Sequence, residues 1–241
     1  MKNKPAIILV SPQLGENIGA AARVMLNFGI DDLRLVTPRD GWPNPKAVDM
    51  AKGAKKVIEN ARVFESLADA TFDINHLYAT TARTRDMIKP TLTAKKTAQD
   101  IISHSNSGER SAIMFGPERT GLENEHITLA EAITYIPVAP EYTSLNLAQA
   151  VSITCYEWFS AGDDTPEQIV DIGNLKQASK EELAHLFKHL ESELDNTDFF
   201  KLPDKRPKMV NNIRNIFSRA NLTDQEVRTL RGIIRSLVTK H

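Results

Sequence analysis

The chain has 241 residues, of which 41% are hydrophobic and 25% charged, a composition typical of a soluble globular protein rather than a disordered or membrane-spanning one. The first apolar run, Ala6–Val10, is too short for a signal-peptide core or a membrane span, so we expect a cytoplasmic protein without membrane association. A single cysteine, Cys155, excludes an intrachain disulfide, and its apolar neighbours predict a buried, unreactive thiol. The formal net charge of −1 hides a basic end, because thirteen Lys and Arg and only nine Asp and Glu follow Leu175. This asymmetry predicts local contact with an anion rather than wrapping of nucleic acid around the whole surface.

The chain opens with the pattern of a strand, a tight loop and a helix. Ala6–Val10 is continuously apolar, which is typical of a strand covered on both faces in a parallel sheet. Asn17 is expected to cap the following helix, which Gly29 ends. Gly15 and Gly19 do not complete a Gly-x-Gly-x-x-Gly motif, and no acidic residue follows the second strand, so we exclude a dinucleotide cofactor.

The rest of the first 160 residues alternates strands with helices. The pattern predicts an irregular excursion over residues 38–54 and helices over 91–104 and 123–132. Four further strands are predicted over Leu33–Val36, His76–Thr80, Ser111–Phe115 and residues 133–137. This alternation predicts an α/β fold with a parallel sheet flanked by helices.

Two loops at the carboxyl ends of strands carry polar or glycine-rich sequences. One follows the strand His76–Thr80 and begins Thr80-Thr81-Ala82, and the other contains Gly116 and Glu118. Open α/β sheets bind ligands at this edge, although Gly-Pro-Glu is also an ordinary turn. Arg23 is placed on the loop side of the first helix, where it is either a phosphate clamp or a solvated helix arginine.

The last predicted strand leads into a rigid loop and a helix. Pro137 and Pro140 keep the loop extended, and Ser144 is expected to cap the helix. Apolar residues cover nearly the whole helix circumference, so we expect burial on all sides, in a core or against another subunit. Ser144 and Asn146 lie where the positive end of the helix dipole favours a polar ligand. An ordinary capped core helix is the alternative.

Three ordered motifs together resemble the SpoU/TrmH family of RNA ribose 2′-O-methyltransferases in the SPOUT superfamily. The resemblance covers about the first 160 residues, and it is closest to the TrmJ branch, whose members methylate cytidine and uridine riboses of tRNA. The motifs are Asn17-x-Gly19-x-x-x-Arg23, Gly116-x-Glu118-x-x-Gly121-Leu, and Ile136-Pro-Val followed by Thr-Ser144-Leu-Asn146-Leu-Ala. Sequence segments near the carboxyl end also look like the helical extension of that branch.

The resemblance implies a fold, a cofactor and an oligomeric state. It implies a parallel sheet with a C-terminal deep trefoil knot, an exception to the rule that proteins are not knotted, and a homodimer with the knot at the interface. It implies no metal. It also implies S-adenosylmethionine as the cofactor, bound by Thr80, Thr81, Ala82, Gly116, Ile136, Ser144, Leu145 and Asn146.

The resemblance also implies catalytic residues and a substrate. Arg23 acts on the ribose hydroxyl, either as a base or as a clamp on phosphate and developing alkoxide, and Asn17 and Glu118 orient it. The implied target is the ribose at position 32 of the tRNA anticodon loop. The alternatives are a ribosomal RNA, another tRNA position, or a catalytically silent RNA-binding protein.

The carboxyl-terminal part is predicted to be a separate helical extension. We expect a methyltransferase domain over 1–161, a linker over 162–174 and a tRNA-contacting extension over 175–241. Ser179 and Glu182 form a possible capping box. Arg228, Arg231 and Arg235 recur at helical spacing, which indicates either phosphate contacts or a salt-bridged helix surface.

Overall fold

The computed structural model describes residues 3–82, 87–166 and 175–239. The chain forms two compact units, Met1–Thr165 and Pro166–His241. In the described part of the first unit, seven parallel strands form one sheet in the order β3-β2-β1-β6-β4-β7-β5. The strands are β1 Ala6–Val10, β2 Leu33–Val36, β3 Arg62–Phe64, β4 His76–Thr80, β5 Thr91–Thr93, β6 Ser111–Phe115 and β7 Ala132–Tyr135.

Helices cover both faces of this sheet. They are α1 Gly15–Asn27, α2 Pro45–Ala51, α3 Lys55–Glu59, α4 Leu67–Thr71, α5 Ala94–Asn106, α6 Asn124–Leu129 and α7 Leu147–Ala161. Alternate residues of β1 point into different cores: Ile7 and Leu9 pack with α1, α5 and α7, whereas Ile8 and Val10 pack on the opposite face. Each fully buried side chain of this size contributes about 1.5–3 kcal/mol. The predicted α/β parallel sheet is therefore confirmed.

The two short edge strands, β3 and β5, were not predicted from the sequence. The helix expected over residues 91–104 begins only at Ala94, because Thr91–Thr93 pairs in parallel with β7. Thr93 caps that helix by accepting from the backbone N–H of Lys96 at 3.2 Å. Three-residue strands carry too little periodicity for a sequence pattern to identify them.

The irregular excursion expected over residues 38–54 contains the helix α2. Asn44 caps it by accepting from the Lys46 N–H at 3.0 Å, and Pro45 occupies its first turn. A Cβ atom on Gly19 of α1 would lie 2.3 Å from the Ala47 carbonyl oxygen. The glycine is therefore required by the close packing of α1 on α2.

Two predicted helix caps were wrong. Helix α1 begins at Gly15, and its N-cap is Leu14, which provides no side-chain hydrogen bond. Helix α7 begins at Leu147 and is capped by Asn146, not Ser144, because the Asn146 side chain accepts from the Ala148 N–H at 2.9 Å. The predicted end of α1 is confirmed, since Gly29 adopts a positive φ of 74° directly after it.

Helix α7 is not buried on all sides within the chain. Val151, Cys155 and Trp158 face the core, but Tyr156 is 56% exposed and Phe159 is 38% exposed. The buried Cys155 thiol is confirmed, and burial raises its pKa to about 12, so it stays neutral and unreactive.

The described part of the second unit is helical. Its helices are α8 Lys180–Asp195, α9 Arg206–Ser218 and α10 Asp224–Val238. The predicted capping box is confirmed, because Ser179 and Glu182 exchange hydrogen bonds at the start of α8. A small core contains Leu186 and Val227. Of the linker expected over 162–174, residues 167–174 lie outside the described residues. Within the described ranges, no helix has the length and apolar character needed to cross a membrane.

Candidate functional site at the carboxyl edge of the sheet

An open cleft lies at the carboxyl ends of the neighbouring strands β6, β4 and β7. It encloses about 920 Å³ including its open mouth. The cleft is where three loops meet, because the strand order places the ends of these strands side by side. Its lining is Thr80, Thr81, Ala82, Phe115, Gly116, Pro117, Glu118, Arg119, Thr120, Gly121, Ile136, Thr143, Ser144, Leu145, Leu147 and Ala150.

The structure brings most of the predicted site residues together. All the expected cofactor residues except Asn146 line the cleft, and so does Glu118. Asn146 caps α7 instead and bonds to Asn17. The sequence analysis did not identify Arg119 or Thr143 as part of the lining. Only their positions in the sequence could have identified them, since each lies on a loop already assigned to this edge of the sheet.

The hydroxyl group of Thr80 is buried without a partner. Its Oγ1 atom has no hydrogen bond among the described residues. On the adjacent strand, the hydroxyl of Thr134 is instead 3.0 Å from that of Thr97. A buried hydroxyl without a partner is unfavourable by about 1–3 kcal/mol, so a polar ligand atom in the cleft would satisfy it. The walls also offer apolar surface at Ile136 and Leu145. This mixture fits S-adenosylmethionine, which has a flat base and a polar ribose and amino acid.

The loop after β6 folds tightly on itself. A Cβ atom on Gly116 would lie 2.2 Å from the Leu122 backbone nitrogen, and Gly121 has a positive φ of 70°. Glycines in such a loop can let the backbone approach a ligand closely. The close approach at Gly116 is instead to the backbone of its own loop, which gives this side of the cleft its shape.

Glu118 joins the loop after β6 to the start of α1. Its carboxylate accepts from the backbone N–H groups of Gln13 at 2.8 Å and Leu14 at 3.2 Å, and from Asn17 Nδ2 at 2.9 Å. Asn17 in turn accepts from Asn146 Nδ2 at 3.1 Å. We call Asn17, Glu118 and Asn146 the polar network. A negative charge here complements the positive end of the α1 dipole.

Arg23 lies outside the cleft. Its side chain is exposed on α1, and it makes no hydrogen bond or ion pair within the described ranges. It does not bond to Asn17 or Glu118, so the expected orientation of Arg23 by these residues stays a prediction. A free guanidinium is available for another molecule.

A second polar cluster lies at the opposite, amino edge of the sheet, and the sequence analysis missed it. The rings of His76 and His104 stack with centroids 3.5 Å apart and planes inclined by 13°. His76 Nε2 and His104 Nδ1 are both 3.1 Å from one oxygen of Glu109, and His76 Nδ1 is 3.0 Å from Glu131. Hydrogen bonds to Glu109 and Glu131 join the two rings, and the ligand atoms of His76, His104 and Glu109 all lie within 4.8 Å of one another.

Comparison with known proteins extends over both units. The model of the SpoU rRNA Methylase family matches residues 4–156, and that of the tRNA methyltransferase TrmJ C-terminal domain matches residues 181–241. The tRNA (cytidine/uridine/adenosine-2′-O-)-methyltransferase TrmJ of Pseudomonas aeruginosa is 32% identical over 242 residues, covering 97% of this chain and 93% of that protein. The tRNA (cytidine/uridine-2′-O-)-methyltransferase TrmJ of Pectobacterium atrosepticum is 33% identical over 248 residues, covering 98% and 97%.

Solved structures agree with this assignment. The crystal structure of TrmJ from Z. mobilis superposes with a TM-score of 0.81 at 47% identity and covers 97% of this chain and 99% of that one. The SpoU methyltransferase AviRb from Streptomyces viridochromogenes, solved in complex with AdoMet, shares the fold at a TM-score of 0.52 and 19% identity, covering 66% of this chain and 58% of that one. The chain therefore belongs to the SpoU methylase family and carries the C-terminal domain of its TrmJ members.

Proposed function

We propose that this protein transfers the methyl group of S-adenosylmethionine to the ribose 2′-hydroxyl of cytidine or uridine in tRNA, at position 32 of the anticodon loop, in the cytoplasm. One observation carries the proposal: the second and third family motifs line one cleft, Asn17 of the first motif is hydrogen-bonded to both of them, and the buried Thr80 hydroxyl at this strand end has no hydrogen bond among the described residues. The full-length similarity to tRNA 2′-O-methyltransferases of the TrmJ type supports tRNA as the substrate.

The cofactor is assigned to the cleft residues. Thr80, Thr81 and Ser144 offer hydroxyl groups, Gly116 offers backbone that no side chain covers, and Ile136 and Leu145 offer apolar contact. The remaining assigned residues are Ala82, which lines the cleft, and Asn146, which acts through the polar network. When bound, S-adenosylmethionine supplies an electrophilic methyl group on a sulfonium centre.

The catalytic task of the protein is to hold the ribose hydroxyl and to stabilise the charge that develops as it loses its proton. Positioning alone can contribute roughly 7–11 kcal/mol to such a displacement. A guanidinium has no acceptor site, so we assign Arg23 to donate to the ribose oxygen and the adjacent phosphate rather than to remove the proton. Asn17 and Glu118 hold the α1 end against the cleft loop, which fixes the helix that carries Arg23.

We further propose a homodimer. Arg23 is exposed and makes no hydrogen bond or ion pair with any residue that the structure describes, and Tyr156 and Phe159 leave an apolar stripe on α7. A second copy covering this stripe would bury the aromatic rings and bring its Arg23 to the cleft. The C-terminal deep trefoil knot of the superfamily is part of the same proposal, with α7 as the segment that follows the knotted loop.

The domains are proposed as 1–161 for methyl transfer, 162–174 as linker and 175–241 for tRNA contact. On the helical unit some cations are already paired: Arg206 with Asp195, Arg214 with Glu191 and Arg228 with Asp224. The exposed cations without an ion pair among the described residues are better suited to phosphate, and they are Lys176, Lys180, Lys188, Lys201, Lys205, Lys208, Arg219 and Arg235.

The test is transfer of labelled methyl from S-adenosylmethionine to an unmodified tRNA transcript and to a matched transcript with a 2′-deoxynucleotide at position 32. Label entering only the first transcript supports the reaction, the atom and the position together. Label entering both transcripts supports methyltransferase activity on tRNA but refutes position 32 as the target. Label entering neither, with the cofactor bound, refutes tRNA as substrate, and ribosomal RNA is then the substrate to assay.

A further inference from the structure

Tyr142 is an exposed aromatic residue at the rim of the cleft. Its side chain is 78% exposed, the largest fraction among the four tyrosines of the chain. The three residues that follow it, Thr143, Ser144 and Leu145, all line the cleft. An aromatic ring in water beside a binding site has a large apolar surface that the fold does not use.

The backbone of Tyr142 is fixed although its ring is free. Its N–H donates to the Ala139 carbonyl at 3.1 Å, which closes a turn with Pro140 at the second position. The proline fixes its own φ angle and stiffens the turn. Within the described residues the ring makes no aromatic contact and no hydrogen bond. A ring held on a rigid turn loses little conformational entropy when a partner stacks on it.

The opposite loop of the cleft presents a cation. Arg119 is exposed, lines the cleft and has no ion pair in the described part of the chain. An exposed aromatic ring beside one cleft loop and a guanidinium on another match a nucleotide, whose base can stack while its phosphate is neutralised. Single-stranded RNA is recognised in this way, with unstacked bases placed on aromatic side chains.

We propose that Tyr142 is the stacking platform for the base of the nucleotide that is methylated, and so a positioning residue for its ribose. The inference rests on the proposed function. Stacking requires only the flat face that every base has, so it positions the ribose without selecting cytidine over uridine. Selection between bases must then come from other contacts.

The first test compares tRNA methylation by Tyr142→Ala and Tyr142→Phe. Base stacking on an aromatic side chain is worth about 1–3 kcal/mol, so Tyr142→Ala should lower kcat/KM for tRNA by about 5- to 150-fold. Tyr142→Phe keeps the ring and should restore activity to near the wild-type value. The affinity for S-adenosylmethionine should be unchanged in both variants. Phe72→Ala is the matched control, because Phe72 is 86% exposed and precedes β4 at the amino edge of the sheet.

A substrate without the target base gives the decisive comparison. A tRNA whose target ribose carries no base should be a poorer substrate for the wild type, and Tyr142→Ala should cause no further loss on it. Equal loss from Tyr142→Ala on the normal and the base-free tRNA overturns the proposal, as does failure of Tyr142→Phe to restore activity. If the wild type methylates no tRNA, the proposed function itself is refuted and the inference with it.

Discussion

Replacing Thr80 by valine should change stability and cofactor affinity in opposite directions. Valine has nearly the shape of threonine but lacks the hydroxyl, which is buried and has no hydrogen bond to any residue that the structure describes. Removing it from the unliganded protein removes the penalty of an unsatisfied polar group, of about 1–3 kcal/mol. If the hydroxyl bonds to bound cofactor, the same change also removes one hydrogen bond from the complex.

The two magnitudes can be estimated separately. Relief of about 1 kcal/mol should raise Tm by about 2–4 °C for a domain of this size. Loss of a hydrogen bond with a net value of about 0.5–1.5 kcal/mol should weaken S-adenosylmethionine binding by about two- to twelvefold. Because ligand binding stabilises only the folded state, the rise in Tm on adding a fixed cofactor concentration should be smaller in Thr80→Val than in the wild type.

Thermal unfolding and isothermal titration calorimetry measure the two effects, and Thr134→Val is the matched control. Thr134 is the register partner of Thr80 on β7, and its hydroxyl is 3.0 Å from that of Thr97. This control should lower Tm, because it leaves the buried Thr97 hydroxyl unpaired, and should not change cofactor affinity. A lower Tm in Thr80→Val, or an unchanged affinity, would refute the assignment of Thr80 to the cofactor.

Three further predictions concern the rest of the chain. Arg23→Lys should retain methyl transfer above the level of Arg23→Ala, because an ammonium also stabilises anionic charge; equal and complete loss would favour a role that only guanidinium fills. Gly116→Ala should abolish cofactor binding in calorimetry, since the new Cβ meets the Leu122 nitrogen at 2.2 Å; wild-type affinity would contradict this reading of the loop. Burial alone would lower the pKa of His76, but its hydrogen bonds to Glu131 and Glu109 outweigh burial and raise the pKa. The cluster should therefore stabilise the protein fully below the unfolded pKa near 6.5 and lose that contribution as pH rises through the folded pKa. Between pH about 5.5 and about 8, Tm should fall more in the wild type than in His76→Asn. An equal fall of Tm in the two proteins would contradict this role of His76.

The central strands could be predicted from the sequence because their burial leaves a local signal. The strands β1 and β6 are covered on both faces, so every residue in them is buried and all of them except Ser111 are apolar. The edge strand Arg62–Phe64 has only three residues and none of them is buried, so its sequence resembles a loop. Pattern analysis therefore recovered the interior of the sheet and missed its edges.

Helix starts were predicted less well, for two different reasons. For α2, the signal was present in Asn44 and Pro45, a cap followed by a first-turn proline, but the surrounding prolines and glycines obscured it. For α7, both Ser144 and Asn146 are residues that cap helices, and only the observed path of the loop selects Asn146. Sequence preference alone does not distinguish two good caps two positions apart.

The start of α1 could not be predicted from any local segment. The segment that leads into α1 is held by Glu118, which lies 105 positions from Gln13 along the chain, and Asn146 reaches Asn17 across 129 positions. These contacts exist because β1 and β6 are neighbours in the sheet, so the loops that follow them meet at one edge. The motif analysis selected all three residues of the polar network as functional without indicating that they touch. Their contact means that Glu118 supports the start of α1 and the shape of the cleft together, so loss of activity on changing Glu118 does not by itself identify a catalytic group.

Glu118→Gln separates the two roles, because the amide keeps one acceptor oxygen for the backbone that leads into α1 while removing the charge. We expect it to bind cofactor with lower affinity and to begin α1 less stably, which hydrogen exchange at Gln13 and Leu14 would report; unchanged exchange with lost activity would instead assign Glu118 to the chemical step.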